Sequence, residues 1–128
     1  MSIPRTNPQG FWHNERNLTR LMGNWVVGAV GAVGVVTGNG FAVTRTGAGD
    51  YLLTFTDAFA YFLCGTVNVS CISGAAVDIY GQFGAFTPGG TGAATLQIRT
   101  ETGAADTDPT ATDSVTFECV LYGETLDA

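Results

Sequence analysis

Apolar and polar residues alternate along most of the chain after residue 40, and this period of two constrains the fold more than any other feature. FAVTRT (41–46) and YLLTFT (51–56) each place their larger apolar residues on one face, and the turn GAGD (47–50) joins them. Two alternating runs separated by a short glycine-containing loop predict a β-hairpin. The side chains expected to face inward on the second run are Tyr51, Leu53 and Phe55.

Later stretches repeat this pattern. YFLCGTVNVSCI (61–72) predicts a long strand with a bulge at Gly65, and its first residues are apolar on both faces, as in a strand covered on both sides. SGAAVDIYGQFGAF (73–86), ATLQIRTE (94–101) and SVTFECVLYGE (114–124) predict further strands. The inward positions expected in the last two are Leu96, Ile98, Val115, Phe117, Cys119 and Leu121. Five or six short strands predict an all-β fold, an antiparallel β-sandwich or jelly roll over residues 25–128.

Residues 1–24 differ from this body and are predicted to form a short N-terminal arm. Pro4 and Pro8 oppose a regular start, while FWHNERNLTRLMGNW (11–25) has the spacing of one short helix. Gly23 would end that helix. The residues on its shared apolar face would be Leu18, Leu21 and Met22.

Glycine recurs at every third position between valines and alanines, at Gly28, Gly31 and Gly34. This spacing does not match a phosphate-binding loop, and the apolar run from Trp25 to Val36 is too short to cross a bilayer. A strand with such glycines is either a loosely packed edge or a place where another backbone or an aromatic ring comes very close. The stretch is therefore either a pair of short strands or one extended segment. Its glycines mark either a tolerant edge or close packing at a subunit interface.

The charge is divided unevenly along the chain, which has no lysine and a net charge of −6. Residues 1–23 hold three arginines and one acid, whereas residues 24–128 hold two arginines and ten acids. An acidic body repels phosphates, so nucleic acid is not an expected partner. The basic arm is suited to bind an acidic partner.

The residue types needed for catalysis or metal binding are scarce. His13, in the arm, is the only histidine. The sequence therefore predicts neither a Ser/His/Asp arrangement nor a histidine-rich metal site. Three cysteines without CxxC spacing are expected to be buried free thiols. Three acids in the loop 102–113 have the composition of a calcium loop without its spacing, and a solvated loop is favoured: Asp106, Asp108 and Asp113. We expect no enzyme activity, no cofactor and no metal.

Two stretches carry a resemblance to known proteins. VTRTGAGDYLLTFTDAFAYF (43–62) resembles a strand–turn–strand motif of small phage virion proteins, and LQIRTETGAADTDPTATDSVTFECVLYG (96–123) resembles their closing hairpin. The pattern is similar to trimeric jelly rolls of the tumour necrosis factor and complement globular-head type. The residues that match the first motif are Thr46, Gly47, Gly49, Tyr51, Phe55 and Phe59.

The resemblance implies a structural or binding role in a virion, assembled in the host cytoplasm. The short arm in place of a long shaft favours a capsid decoration (cement) protein that trimerises and binds the major capsid protein without a membrane or nucleic acid. The residues expected to bind the capsid are Arg5, Phe11, Trp12, Arg16 and Arg20. The residues expected at the trimer interface are Gly28, Gly31, Gly34, Tyr51, Phe55, Phe59 and Tyr61.

Two alternatives remain open from the sequence. One is a receptor-binding tip of a phage tail or fibre, whose loops 84–92 and 102–113 would contact a host glycan or protein. The other is a small non-viral binding or hydrolytic domain, for which the sequence offers no active-site residues.

Overall fold

A computed structural model describes residues 18–74, 79–90, 92–103 and 105–123 as nine β-strands and one 3-10 turn. The 3-10 turn is Ala29–Gly31, between the first two strands. The strands are β1 (Leu18–Val27), β2 (Val33–Thr37), β3 (Phe41–Gly47), β4 (Asp50–Phe55), β5 (Tyr61–Ser70), β6 (Tyr80–Thr87), β7 (Thr95–Thr102), β8 (Ala105–Asp106) and β9 (Ser114–Tyr122).

The strands form two antiparallel sheets that pack face to face. Sheet I has the strand order β2-β1-β9-β5, and sheet II has the order β3-β4-β7-β6, with the short β8 pairing to β7. The inner faces interdigitate to form one apolar core, as in a β-sandwich. The predicted all-β sandwich is therefore confirmed.

The core consists of the alternate residues that the period of two places on the inner faces. Trp25 and Tyr51 lie with their ring centres 5.1 Å apart, and Phe55 meets Phe59 edge to face at 5.6 Å. Aromatic rings in such tilted or edge-to-face pairs pack favourably. The other buried apolar residues of the core are Val27, Leu53, Ala94, Leu96, Ile98, Val115, Phe117, Cys119 and Leu121.

The predicted hairpin over residues 41–56 is confirmed as β3 and β4, which are joined through Ala48 and Gly49. Tyr51, Leu53 and Phe55 are buried as expected. The alternation was decisive here because one face of each strand lies on the core and the other faces outward.

The predicted boundary of the arm and its helix are wrong for residues 18–24. This segment belongs to β1, which pairs with β9 from Leu18 opposite Tyr122 to Val26 opposite Ser114. Gly23 does not end a helix: it is buried, and a side chain there would overlap the rings of Phe41 and Phe117. Strand pairing and this close ring contact override the helical spacing of the leucines.

Strand β5 also differs from its prediction. The register shift lies between Phe62 and Cys64 and not at Gly65. Tyr61 and Leu63 are exposed, so the first part of β5 is not covered on both sides by the described residues. Both faces are apolar in sequence, but only one packs on the core.

The connections fall at two ends of the sandwich. The terminal end holds Leu18, Gly123 and the loops 56–60 and 88–94, which are linked by Ala60 N–H to Tyr122 O at 2.9 Å and Gly89 N–H to Phe59 O at 2.9 Å. The distal end, named here for its position opposite the described chain ends, holds the turns 28–32 and 48–49, the turn 71–74 and the loop 103–113.

A candidate interaction face on sheet I

The outward face of sheet II is polar, and its side chains satisfy one another. Gln97 donates a hydrogen bond from Nε2 to Asp50 Oδ1 at 2.7 Å, and Gln82 donates one to Glu101 Oε2 at 3.0 Å. Arg99 pairs with Asp106 at 3.0 Å. Sheet II therefore presents a surface typical of contact with water.

The outward side of sheet I is different, because most of the exposed large apolar side chains lie there. Five of the nine such residues in the described part of the chain lie on the outward side of sheet I: Met22, Val26, Val35, Tyr61 and Leu63. Val36 lies opposite the inward-facing Trp25, and Val30 lies in the turn between β1 and β2. Single exposed apolar residues need no explanation, but a one-sided concentration marks an interaction surface.

Register explains how the sequence places these groups. Trp25 faces the core, so its neighbours in β1 face outward, and Met22 is 59% exposed opposite Glu118 of β9. At the terminal end, Tyr122 lies between Leu18 and Tyr61 in the sheet, and its ring centre is 6.1 Å from that of Tyr61. We call this outward surface of β2, β1, β9 and β5 the sheet I face.

The charges near the middle of the sheet I face neutralise each other. Arg20 of β1 forms an ion pair with Glu118 of β9. These two side chains border a shallow depression of about 250 Å³, whose other lining residues are Cys64, Gly65, Thr66, Cys119 and Val120. Because the two charges are paired, covering this part of the face costs less than burying either charge alone would.

The cysteines, all of which lie in the described part of the chain, form no disulfide. Burial raises the pKa of the Cys119 thiol to about 12, and this residue is the buried thiol that the sequence predicts. Cys64 is exposed on the sheet I face, so the prediction of burial is wrong there. The outward register of Cys64 opposite Val120 is the reason.

Hydrogen bonds hold the acidic loop in place, and each acid accepts them from its own donors. Asp108 accepts a 2.7 Å bond from Arg45 Nη2 and a 2.8 Å bond from the Gly49 amide. Asp113 is buried and accepts hydrogen bonds from the amides of Ser73 at 2.9 Å and Thr110 at 3.1 Å.

The favoured solvated loop is therefore wrong for Asp113, which is buried. The three loop acids Asp106, Asp108 and Asp113 each have their own partner. Within the described ranges, no group of three His, Cys, Asp or Glu residues is placed to hold a metal ion.

Three of the residues expected at a trimer interface lie instead inside the subunit. Tyr51, Phe55 and Phe59 are buried in its own core, so their side chains are not accessible to a neighbouring copy, and that prediction is wrong for them. The hairpin alternation predicted their burial correctly, whereas the resemblance pointed to an interface. Tyr61, in contrast, is exposed at the terminal end of the sheet I face.

The three glycines of the repeat have different environments. Gly31 is buried in the turn between β1 and β2, with φ at +76°, and a side chain there would overlap the Asp108 carboxylate. At Gly34 a Cβ atom would lie 2.6 Å from Val26 O, whereas Gly28 has room. Gly31 and Gly34 therefore each allow another group of the same subunit to come close to their backbone.

Four of the five residues predicted to bind the capsid lie outside the described part of the chain: Arg5, Phe11, Trp12 and Arg16. His13 lies outside it as well. Arg20 lies in β1, where it pairs with Glu118.

Met22 and Val35 are candidate contact residues that the sequence pattern does not indicate. The spacing around Met22 predicts a helix, and Val35 lies in a run where valines occupy both faces. The signal that identifies them is register, since only the pairing of β1 with β2 and β9 shows which positions face outward.

Comparison with known proteins found no matching family model, no matching curated protein and no matching solved structure. Among the helices of the described residues, none has the length and apolar character to cross a membrane.

Proposed function

We propose that this protein is a phage capsid decoration protein that forms a homotrimer through the sheet I face and binds the major capsid protein through its N-terminal segment. Its place is the outer surface of the virion, and assembly takes place in the host cytoplasm. It stabilises the shell by non-covalent binding, with no catalytic step, no cofactor, no nucleic acid and no membrane. The phage context rests on the motif resemblance, and the assembly role rests on the surface of the sandwich.

The observation that carries the assembly role is the one-sided distribution of apolar groups. Met22, Val35 and Tyr61 are exposed on sheet I, while the outward side of sheet II is tied together by polar pairs. Apolar burial contributes about 25 cal/mol per Å² before ordering costs. A stable interface buries roughly 800 Å² on each partner, and the outward side of a four-stranded sheet is a surface of that order.

The trimer would also supply avidity. Three copies of residues 1–17 would leave a trimer from the ends of three β1 strands, each with Phe11 and Trp12. Linking several weak contacts raises the overall affinity through effective concentration. Contacts too weak to hold one subunit on a shell would then hold the assembly.

The second candidate function is a receptor-binding tip. The fold restricts which loops could share its binding site. The loops 88–94 and 103–113 lie at opposite ends of the sandwich, so they do not form one surface. A receptor site would therefore use the loops of one end only. The distal end is favoured, because it lies away from Leu18, where the N-terminal segment enters β1.

The test is deletion of residues 2–17, which leaves β1 complete from Leu18 onward. We expect the shortened protein to remain a trimer in solution. We also expect it to lose binding to purified shells that lack the protein. The matched control is the full chain with Met22→Asp, which should lose the oligomer and, through lost avidity, most of its binding. Full binding by the shortened protein would contradict the role of the N-terminal segment.

A further inference from the structure

Asn39 and Gly40 form the only Asn-Gly pair in the chain, and they lie in the connection from β2 to β3. Asn39 is exposed, and both glycines beside it have positive φ, +128° at Gly38 and +91° at Gly40. Asn-Gly is a common turn sequence, but asparagine is also a thermolabile residue. The pair can therefore react as well as turn the chain.

The two groups that react in such a pair are the side-chain amide of the asparagine and the backbone N–H of the next residue. Neither the Asn39 side chain nor the Gly40 N–H makes a hydrogen bond to another described residue. Asn24, in contrast, donates from Nδ2 to Thr116 Oγ1 at 2.8 Å. The backbone of Gly40 is bound through its oxygen, which accepts from the Thr56 amide at 3.0 Å. The attacking nitrogen and the amide it would attack are thus both free.

Glycine at position 40 also removes the steric barrier to this reaction. It has no Cβ atom to obstruct the approach of its nitrogen to the Asn39 side chain. The other asparagines are each followed by a residue with a side chain, namely Pro8, Glu15, Leu18, Trp25 and Val69. Groups held next to each other in one chain react as a unimolecular step, which is faster than the reaction of separate molecules. Asn39 is therefore the asparagine whose sequence context favours reaction most.

The reaction is deamidation, and water is its one co-reactant. The Gly40 nitrogen gives its proton to hydroxide and attacks Asn39 Cγ. A bond forms between that nitrogen and Cγ, the Cγ–Nδ2 bond breaks, and the leaving nitrogen takes a proton from water and departs as ammonia. Water then opens the resulting five-membered imide at either carbonyl, which yields aspartate or isoaspartate. The chain gains one negative charge beyond its present net charge of −6.

The reacting pair lies at the border of the sheet I face. A Cβ atom at Gly38 would lie 2.9 Å from Met22 O, and a Cβ atom at Gly40 would lie 3.3 Å from Leu21 Cδ2. Asn39 is therefore held beside the part of β1 where the Met22 side chain is exposed on the sheet I face. A carboxylate loses far more solvation than an amide does when another surface covers it.

We propose that Asn39 and Gly40 form a self-modification site, at which deamidation in unassembled subunits places a carboxylate at the border of the sheet I face and opposes self-association. The effect on assembly rests on the proposed function, in which a neighbouring copy covers this face. The modification itself does not, because it needs only the exposed pair and water. Subunits that remain unassembled would then be withdrawn progressively from assembly.

The first test follows deamidation of the purified full chain by peptide mass spectrometry during incubation at pH 6 and pH 8. Asn68 is the internal control, because it is also exposed, lies on sheet I and is followed by valine. We expect at least tenfold more conversion at Asn39 than at Asn68, faster conversion at pH 8, and isoaspartate among the products. The same incubation of Val35→Asp, designed not to self-associate, removes any protection by a neighbouring copy. Equal conversion at Asn39 and Asn68 in that variant would overturn the proposal.

The second test compares Asn39→Asp, which carries the product charge, with Asn39→Gln, which keeps an amide. Circular dichroism should show the same fold for both variants. In analytical ultracentrifugation, Asn39→Asp should need at least fivefold more protein to self-associate, while Asn39→Gln should match the wild type. Equal association of the two variants would overturn the effect on assembly. A wild-type chain that never self-associates would overturn the proposed function together with this effect, whereas the first test would still decide the modification.

Discussion

The Tyr51 hydroxyl donates a 2.7 Å hydrogen bond to the carbonyl oxygen of Gly31, twenty residues earlier in the chain, and both residues are buried. This bond joins the middle strand β4 of sheet II to the hairpin turn of sheet I. Burial raises the pKa of Tyr51 to about 12, with the nearby Asp108 charge acting in the same direction. The phenol therefore stays protonated and keeps its donor well above neutral pH.

Tyr51→Phe should destabilise the protein, because it leaves the Gly31 carbonyl buried without this donor. A buried group left unsatisfied costs about 1–3 kcal/mol. Tyr80→Phe is the matched control, since the exposed Tyr80 hydroxyl donates to Gly103 O at the same 2.7 Å. Urea denaturation should show a loss for Tyr51→Phe that is larger by at least about 1 kcal/mol; equal losses would show that burial of the bond is unimportant.

Gly31→Ala should be far more damaging than Gly28→Ala, although both belong to the same glycine repeat. At Gly31 the backbone is left-handed and the methyl group would overlap the Asp108 carboxylate. The left-handed conformation alone costs roughly 1–2 kcal/mol for a residue with a Cβ atom. At Gly28 φ is −94° and the nearest atom is 3.6 Å away, so alanine should change stability by under about 1 kcal/mol. Thermal denaturation of both variants measures the contrast, and similar melting temperatures would refute it.

Stability should fall in acid through Asp108. Partial burial raises its pKa, but hydrogen bonds from Arg45 and the Gly49 amide, together with the Arg45 charge, outweigh burial and lower the pKa below its ordinary value. A carboxyl with a lowered folded-state pKa contributes its full stabilisation above the unfolded-state value of about 3.9. That contribution is lost as the pH falls below this value toward the folded-state pKa.

Unfolding free energies measured from pH 6 to pH 2.5 test this expectation, with Asp108→Asn as the comparison. The variant should be less stable at pH 6, because it loses the ion pair to Arg45. Its stability should also decline less steeply below about pH 4. Parallel curves for the two proteins would assign the acid sensitivity to other groups.

Met22→Asp and Val35→Asp should each disrupt self-association, because each buries a carboxylate in the proposed contact between subunits. The matched control is Ala42→Asp on the outward side of sheet II, which should leave the oligomer intact. Analytical ultracentrifugation gives the mass of each variant, and circular dichroism verifies its fold. A monomeric wild-type protein at high micromolar concentration would contradict the proposed trimer.

The parts of the fold that sequence predicted are those with clean alternation. In β4 and β9 every second residue is apolar and belongs to the core, and in β7 Leu96 and Ile98 do so before the buried Thr100. β1 was missed because Leu18, Leu21 and Met22 have helical spacing, and Gly23 is explained only by ring contacts with β3 and β9. β1 is a strand because it pairs with strands distant in sequence, and the local spacing of residues gives no information about that pairing.

The site was less predictable for a similar reason. Arg45 and Asp108 are 63 residues apart in sequence, and no local pattern links them. The hairpin turn at Val30 lacks the Asn-Gly signal that normally marks its geometry, so the glycine repeat left open either a pair of short strands or one extended segment. The sheet I face became visible only with the strand order, because its exposed groups come from β1, β2 and β5.

The most direct measurement of the central claim is the copy number of this chain in purified virions, by quantitative mass spectrometry against the major capsid protein. A decoration protein is expected at hundreds of copies, near one trimer for each local threefold position of the shell. A handful of copies would contradict the decoration role and favour a tail or fibre tip, and absence from every particle would contradict a virion role altogether.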